Sequence, residues 1–191
     1  VELARNRRED IKGFSYEECD SIIKNGKTSI VFQANRYSIQ VFGAHNLQNI
    51  NGARLVCEAL GVDSLDFFEA ISSFAGTSNR LELIGKNENT VIYKDFAHSP
   101  SKLKATTSAV KKQFGDSKLV ACMELHTFSS LNEEFLKQYE GCMNAPDEAY
   151  VFFSPHALEH KKLPPITAEQ VHKAFGRKDL QVFTNSKQLI A

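Results

Sequence analysis

The chain has 191 residues, 42% of them hydrophobic, with 23 basic side chains against 23 acidic ones. That length suits one large domain or one and a half smaller ones, and 14 Phe with no Trp make phenylalanine the main aromatic filler of its core. Balanced charge offers no basic excess for nucleic acid and no basic block for an anionic membrane, and no apolar run approaches the roughly 18 residues of a spanning helix.

No signal-peptide pattern opens the sequence, and none of Cys19, Cys57, Cys122 and Cys142 forms a C-x-x-C pair. Both features read as a cytoplasmic protein with free, buried thiols. Val1 rather than Met stands first, which reads as a fragment. Residues 1–27 show no strong periodicity, and the basic cluster Arg5-Asn6-Arg7-Arg8, followed at once by Glu9 and Asp10, reads as solvated surface.

Residues 28–32 and 37–42 predict two strands joined by a polar turn at Asn35-Arg36. From Asn46 the apolar period becomes helical, with Leu47, Ile50, Ala53, Cys57 and Leu60 on one face and Gly61 as the stop. Ser64 is the expected cap of a second helix whose stripe is Leu65, Phe68, Ile71 and Phe74. Residues 76–79 read as a hinge. Residues 81–84 and 90–93 then predict strands around a turn at 86–89. A helix follows from Pro100, a residue suited to a first helical turn, with Leu103, Thr107, Val110 and Phe114 on one face. Beyond it come a buried strand at 119–123, a helical stretch at 131–143, a buried strand at 149–153, a helix at 167–175 capped by Thr167, a strand at 180–183 and a last helix from Ser186.

Strands alternating with helices predict an α/β fold with parallel β-α-β units in a doubly wound sheet. The division falls near the hinge: residues 1–75 carry too little pattern for a whole α/β domain and read as the tail of one, and 76–191 form the next.

Two segments concentrate polar side chains at junctions of strand and helix, where α/β proteins collect ligands. In Gly43-Ala44-His45-Asn46-Leu47-Gln48-Asn49 the asparagine amides offer the paired donor and acceptor that the edge of adenine requires. The same residues also read as a helix cap, Asn46, beside a loop histidine, His45. In Tyr93-Lys94-Asp95-Phe96-Ala97-His98-Ser99-Pro100 a strand-end Asp95 can accept two ribose hydroxyls and His98 can donate or accept; a capping Asp95 and a surface His98 are the alternative. Arg80, between the segments, suits a base, sugar or phosphate, or else a salt bridge with Glu82. Glu124, His126 and Thr127 follow one strand and His156 another, as candidate substrate contacts or plain loop residues. His160 and His172 suggest no partner. No residue reads as catalytic and none as a metal ligand.

Taken together, Gly43-x-His45-Asn46-x-x-Asn49, Phe74-x-Gly76 with Arg80-Leu81-Glu82, and Asp95-Phe96-Ala97-His98-x-Pro100 resemble the Mur ligases, ATP-dependent ligases of peptidoglycan peptide synthesis, in order and separation from about Thr28 to the end. Within that family the likeness leans to the murein peptide ligase subgroup, with the UDP-N-acetylmuramate–alanine ligases as near neighbours. The resemblance implies a Rossmann-like C-terminal domain with a mostly parallel sheet at 76–191, preceded by the strand-helix tail of a central ATPase domain at 1–75. It implies ATP as cofactor, held here by His45, Asn46, Asn49, Arg80, Asp95 and His98, with Mg2+ bound mainly by the missing part. UDP-N-acetylmuramate and an amino acid or peptide amine are the implied partners, along with the missing N-terminal and central domains. The implied chemistry phosphorylates a carboxylate and lets an amine attack the acyl phosphate. A folate- or cyanophycin-type ligase of the same architecture, or a non-catalytic nucleotide-binding module, is the alternative.

The sequence departs from that pattern in several places. It has no Gly-rich phosphate loop, and Gly26-Lys27-Thr28 matches only the last three residues of one. Thr77-Ser78-Asn79 replaces an arginine-rich run, Lys94 an acidic residue and Ser99 a histidine, and Glu124-Leu125-His126-Thr127-Phe128 is not the subgroup's usual loop.

Overall fold

Asn25 and Gly26 both take left-handed backbone, with φ of 51° and 69°. They make the two-residue turn between strands β1 (Ser21–Lys24) and β2 (Lys27–Phe32). Gln33 and Ala34, at 47° and 66°, repeat the device between β2 and β3 (Asn35–Ile39). Turns of this hand match the twist of the flanking strands. They explain why the second turn lies two residues before the expected Asn35-Arg36: Asn35 pairs with Phe32 and already belongs to β3. The computed structural model describes Gly13 and residues 15–190; the basic cluster at residues 5–8 lies outside them.

The β1-β2-β3 meander packs on helices α1 (Ala44–Ala59) and α2 (Ser64–Ile71). Their shared core holds Ile30, Ile39, Leu47, Ile50, Phe67 and Phe68. The α1 stripe is buried only over its first half: Leu47 and Ile50 are inside, whereas Ala53 and Leu60 face solvent. Asp63, not Ser64, caps α2 by accepting the Leu65 N–H at 2.7 Å. Phe67 rather than Leu65 then faces the core, and Phe74 lies beyond the helix and exposed.

Past the linker, β4 (Glu82–Lys86) and β5 (Val91–Lys94) form an antiparallel hairpin with a register shift between Leu83 and Gly85. Helix α3 (Pro100–Gln113) leads to β6 (Val120–Leu125), which pairs in parallel with β7 (Glu148–Phe153), and β7 with β8 (Gln181–Phe183). The expected parallel α/β sheet is therefore present in β6-β7-β8, but it is not doubly wound: the sequential strand order with right-handed crossovers puts both connections on one face. The β4-β5 hairpin is a separate sheet. A cavity of about 1130 Å³ lies between β5 and β6 over α3, bordered by Tyr93, Asp95, Leu103, Val110, Cys122 and Glu124.

Residues 131–143 do not make one helix. They divide into α4 (Glu133–Leu136) and a 3-10 turn (Lys137–Tyr139), and the chain then reverses through Gly141 at φ 69°. A short helix that the periodicity does not signal, α5 (Pro155–His160), starts on Pro155 behind the Ser154 cap. Helix α6 (Ala168–Phe175) has the expected Thr167 cap, as a reciprocal box with Gln170, and α7 (Ser186–Ile190) ends the described chain. These helices cover one face of the parallel sheet, where Met123, Leu125, Val151 and Phe153 are buried.

A third, smaller cluster joins the two cores: Phe42, Leu81 and Ala109, with Tyr93, Val110 and Phe114 against them. All four cysteines are free, but Cys122 is exposed and Cys57 half-buried, contrary to the expected burial. Cys122 lies on the face of β6 opposite Met123, which the helices do not cover. Among the described residues no helix is long and apolar enough to cross a membrane.

Candidate functional site: a seam between α1 and the end of β5

Strand β3 runs out through Phe42 into Gly43, whose φ of 93° only glycine adopts readily. A Cβ there would stand 2.7 Å from the Ala109 Cβ, so the missing side chain also lets the start of α1 rest on α3. That approach carries His45 toward the second segment. Burial lowers the His45 pKa most; the Asp95 carboxylate raises it and the Arg80 guanidinium lowers it. His45 therefore stands within electrostatic reach of both Asp95 and Arg80.

The two asparagines differ. Asn46 donates its amide to the Phe42 carbonyl at 2.8 Å, so this donor is used within its own turn and shapes the wall of the seam. Asn46 is not the helix cap either, because Gly43 occupies that position. Asn49, one turn on, is exposed, and its amide has no hydrogen-bond partner among the described residues.

On the other lip, one Asp95 oxygen accepts the Leu81 N–H at 2.7 Å, and the Phe96 N–H donates to the Asn79 carbonyl at 2.9 Å. These bonds hold Asn79 and Leu81 at φ of 57° and 45°, uncommon for such side chains, and the exposed Arg80 projects between them. Asp95 is not the cap of α3, since Ser99 holds that position. The alternative Arg80–Glu82 pair does not form. Glu82 instead accepts the Asn79 N–H at 2.7 Å and the Ser78 hydroxyl at 3.2 Å, which hold its carboxyl below the usual range.

His98 and His126 meet across Phe96, whose ring centroid lies 4.7 Å from one imidazole and 5.8 Å from the other. Each Nδ1 lies beside the carbonyl two residues back, Phe96 at 3.1 Å and Glu124 at 3.2 Å. A neutral ring that donates there leaves Nε2 as an acceptor turned elsewhere. Glu124 is exposed at the end of β6. Thr127 is committed to its own turn, its N–H and hydroxyl bonding Ser130 Oγ at 3.0 and 2.9 Å. His156 is exposed on α5 with Glu159 3.9 Å away, and no described contact brings it to the histidine pair.

Two supporting residues escape the sequence reading. Tyr139 donates its hydroxyl to the His98 carbonyl at 2.6 Å; its only sequence signal is a place in a helix-like stretch. Phe96 carries both histidine contacts but stands in its motif like an ordinary aromatic filler. Among the described residues no group of three or more His, Cys, Asp or Glu is placed to hold a metal ion.

The fold is α/β, with a seam where a small apolar cluster joins two larger cores; the cavity beside it borders Asp95, His98, Glu124 and His126 but not His45, Asn49 or Arg80. No family model matches the chain. Its fold is that of a UDP-N-acetylmuramate–alanine ligase from Thermotoga maritima, with a TM-score of 0.67 at 16% identity over 89% of this chain and 37% of that one. A folylpolyglutamate synthase from Mycobacterium tuberculosis, solved with ADP and AMPPCP, gives 0.61 at 16% identity over 91% and 39%. Sequence similarity narrows the class: a UDP-N-acetylmuramate–L-alanine ligase of Caldicellulosiruptor bescii is 32% identical over 157 residues, which are 82% of this chain and 33% of that protein. The fold and this relative together support the Mur ligase family. The chain spans about a third of the length of the curated relatives it matches.

Proposed function

We propose that this chain is the part of an ATP-dependent, Mur-type amide-bond ligase that holds the adenosine end of the nucleotide. Residues 1–75 would be the end of its central ATP-binding domain and 76–191 its C-terminal domain. The observation that carries the reading is the Leu81 N–H bond to Asp95, which fixes the end of β5 beside the exposed Arg80, with His45 in electrostatic reach of both from the α1 side. Asn49 and Arg80 offer the free groups: an amide for the base edge and a guanidinium for base, sugar or phosphate. Asp95 has one oxygen on the Leu81 N–H and the other open to a ribose hydroxyl. His98 stands nearest the phosphates or the incoming amine, and His126 and Glu124 continue that side toward the substrate. Bound ATP would supply the phosphoryl group that activates a carboxylate. Mg2+ and phosphate contacts would come from sequence that the relatives have and this chain does not match.

For the substrate, we favour UDP-N-acetylmuramate and L-alanine over a recycled tripeptide, because the C. bescii relative carries the alanine-ligase name. The work would be cytoplasmic. The test is calorimetric titration of ATP and ADP into the chain and into its Asn49→Ala and Arg80→Ala variants. Neither side chain makes a described hydrogen bond, so lost affinity reports the ligand and not the fold. Affinities equal to the unmodified chain in both variants would overturn the adenosine assignment. With no Gly-rich phosphate loop in its sequence, the chain alone should not turn over ATP, and turnover would overturn the partition proposed here.

A further inference from the structure

The Gly26-Lys27-Thr28 triplet, so like the end of a phosphate loop, is spent elsewhere in this fold. It forms the tip and first residues of the β1-β2 hairpin, and that tip is plugged into the last turn of α3. Gln113, only 5% exposed, accepts the Thr28 hydroxyl on Oε1 at 2.8 Å and donates Nε2–H to the Gly26 carbonyl at 2.8 Å. Thr28 is itself 2% exposed. The next residue, Phe114, roofs the tip: a Cβ on Gly26 would lie 3.2 Å from its ring.

The same ring reaches both lips of the seam. Phe114 meets Phe42 edge-on at 6.0 Å and Tyr93 at 5.9 Å, and Phe42 meets Tyr93 at 5.3 Å. Phe42 leads directly to Gly43 and His45; Tyr93 stands two residues before Asp95. The end of α3 is thus hydrogen-bonded to the hairpin and packed against Phe42, after β3, and Tyr93 of β5, the two residues that lead into the candidate site segments. Apolar rings alone tolerate sliding. An amide that uses its donor and its acceptor on two fixed partners sets one register.

We propose that the hairpin tip and Gln113 form a directional latch that fixes the span between α1 and the end of β5, which makes Gln113 a positioning residue for the cleft. The positioning role rests on the nucleotide reading above; the latch itself does not.

The double variant Thr28→Val with Gln113→Met keeps the volume and removes both polar side chains, leaving only the partly exposed Gly26 carbonyl without a side-chain donor. Spin labels at the exposed positions 53 on α1 and 94 at the end of β5, with Cys57 and Cys122 replaced by Ser, report the span by electron–electron double resonance. The unmodified chain and Thr28→Ser, which keeps the hydroxyl, should give one narrow distance distribution, and the double variant a broadened or shifted one. An unchanged distribution in the double variant overturns the latch. Thr28→Val alone, which keeps the volume and removes the donor to Gln113 Oε1, gives the same reading should the double variant fail to fold. Titration with ATP is the second arm: affinity should fall roughly tenfold in the widened variant, the equivalent of about 1.4 kcal/mol. Equal affinity at a widened span overturns the positioning role. Absence of ATP binding by the unmodified chain would instead sink the nucleotide reading and leave the distances to decide the latch.

Discussion

The Tyr139 hydroxyl donates to the His98 carbonyl across 2.6 Å, so a side chain rooted in the parallel-sheet core holds the loop that carries one lip of the seam. Tyr139 is fully buried and stacks on Phe175 with centroids 5.0 Å apart and planes 11° from parallel. Burial pushes its phenol up to about 12, so it remains a donor throughout the ordinary pH range. Tyr139→Phe keeps the stack and removes only the donor. The cost should be about 1–2 kcal/mol of unfolding free energy, because the His98 carbonyl loses its partner where water reaches it poorly. Urea denaturation reads it, and a midpoint equal to the unmodified protein would show that the bond contributes nothing.

The two asparagines of the first segment should separate cleanly. Asn46→Ala removes the amide that satisfies the Phe42 carbonyl, so it should cost stability, on the order of 1 kcal/mol. Asn49→Ala removes an exposed side chain with no described partner, and its stability should stay within about 0.5 kcal/mol. In the nucleotide reading it is Asn49→Ala that weakens ATP. Thermal unfolding and titration of both variants decide between these roles; the reverse pattern would move the base contact to Asn46.

Gly43 and Gly61 test how much of the seam depends on close approach. Both have positive φ, 93° and 88°, but a Cβ on Gly61 meets nothing within 4 Å whereas one on Gly43 meets Ala109 at 2.7 Å. Gly61→Ala should cost only the backbone strain, about 1 kcal/mol. Gly43→Ala adds overpacking against α3, and should cost about 1–3 kcal/mol more. Equal melting temperatures for the two variants would mean that α3 yields freely at this contact.

The sequence was most legible where local chemistry decides structure. The Thr167 cap, Pro100 at the start of α3 and the alternation of strand and helix after residue 80 all appear as expected, because caps and periodicity act within a few residues. Strand β1 was not legible: Ser21–Lys24 is a short edge strand with alternate exposure, and only pairing with β2 makes it a strand. The break at 131–143 depends on Gly141, and the pairing of Gln113 with Thr28 depends on residues 85 apart. Candidate polar residues at strand ends could be named in advance. Their neighbours could not: the commitment of Asn46 to Phe42, of Thr127 to Ser130 and of Asp95 to Leu81 is a matter of tertiary register, which one residue's type does not disclose.

His45 supplies the pH test. Burial is the largest influence on it and lowers its pKa from 6.5; Arg80 lowers it as well, and Asp95 opposes both. A histidine with a depressed folded-state pKa binds its proton more readily when the chain is unfolded. Its contribution to stability is therefore complete above about pH 6.5 and is lost as pH falls below that value toward the folded-state pKa. The unmodified protein should lose more stability between pH 7.5 and pH 5 than His45→Gln, which cannot titrate. Asp95→Asn removes the one influence that raises the pKa while keeping an acceptor for the Leu81 N–H, so it should widen the window over which stability falls. Urea titrations of the three proteins across that range give the slopes directly. Parallel curves for the unmodified protein and His45→Gln would show that His45 is solvated, and that the two lips do not close on it.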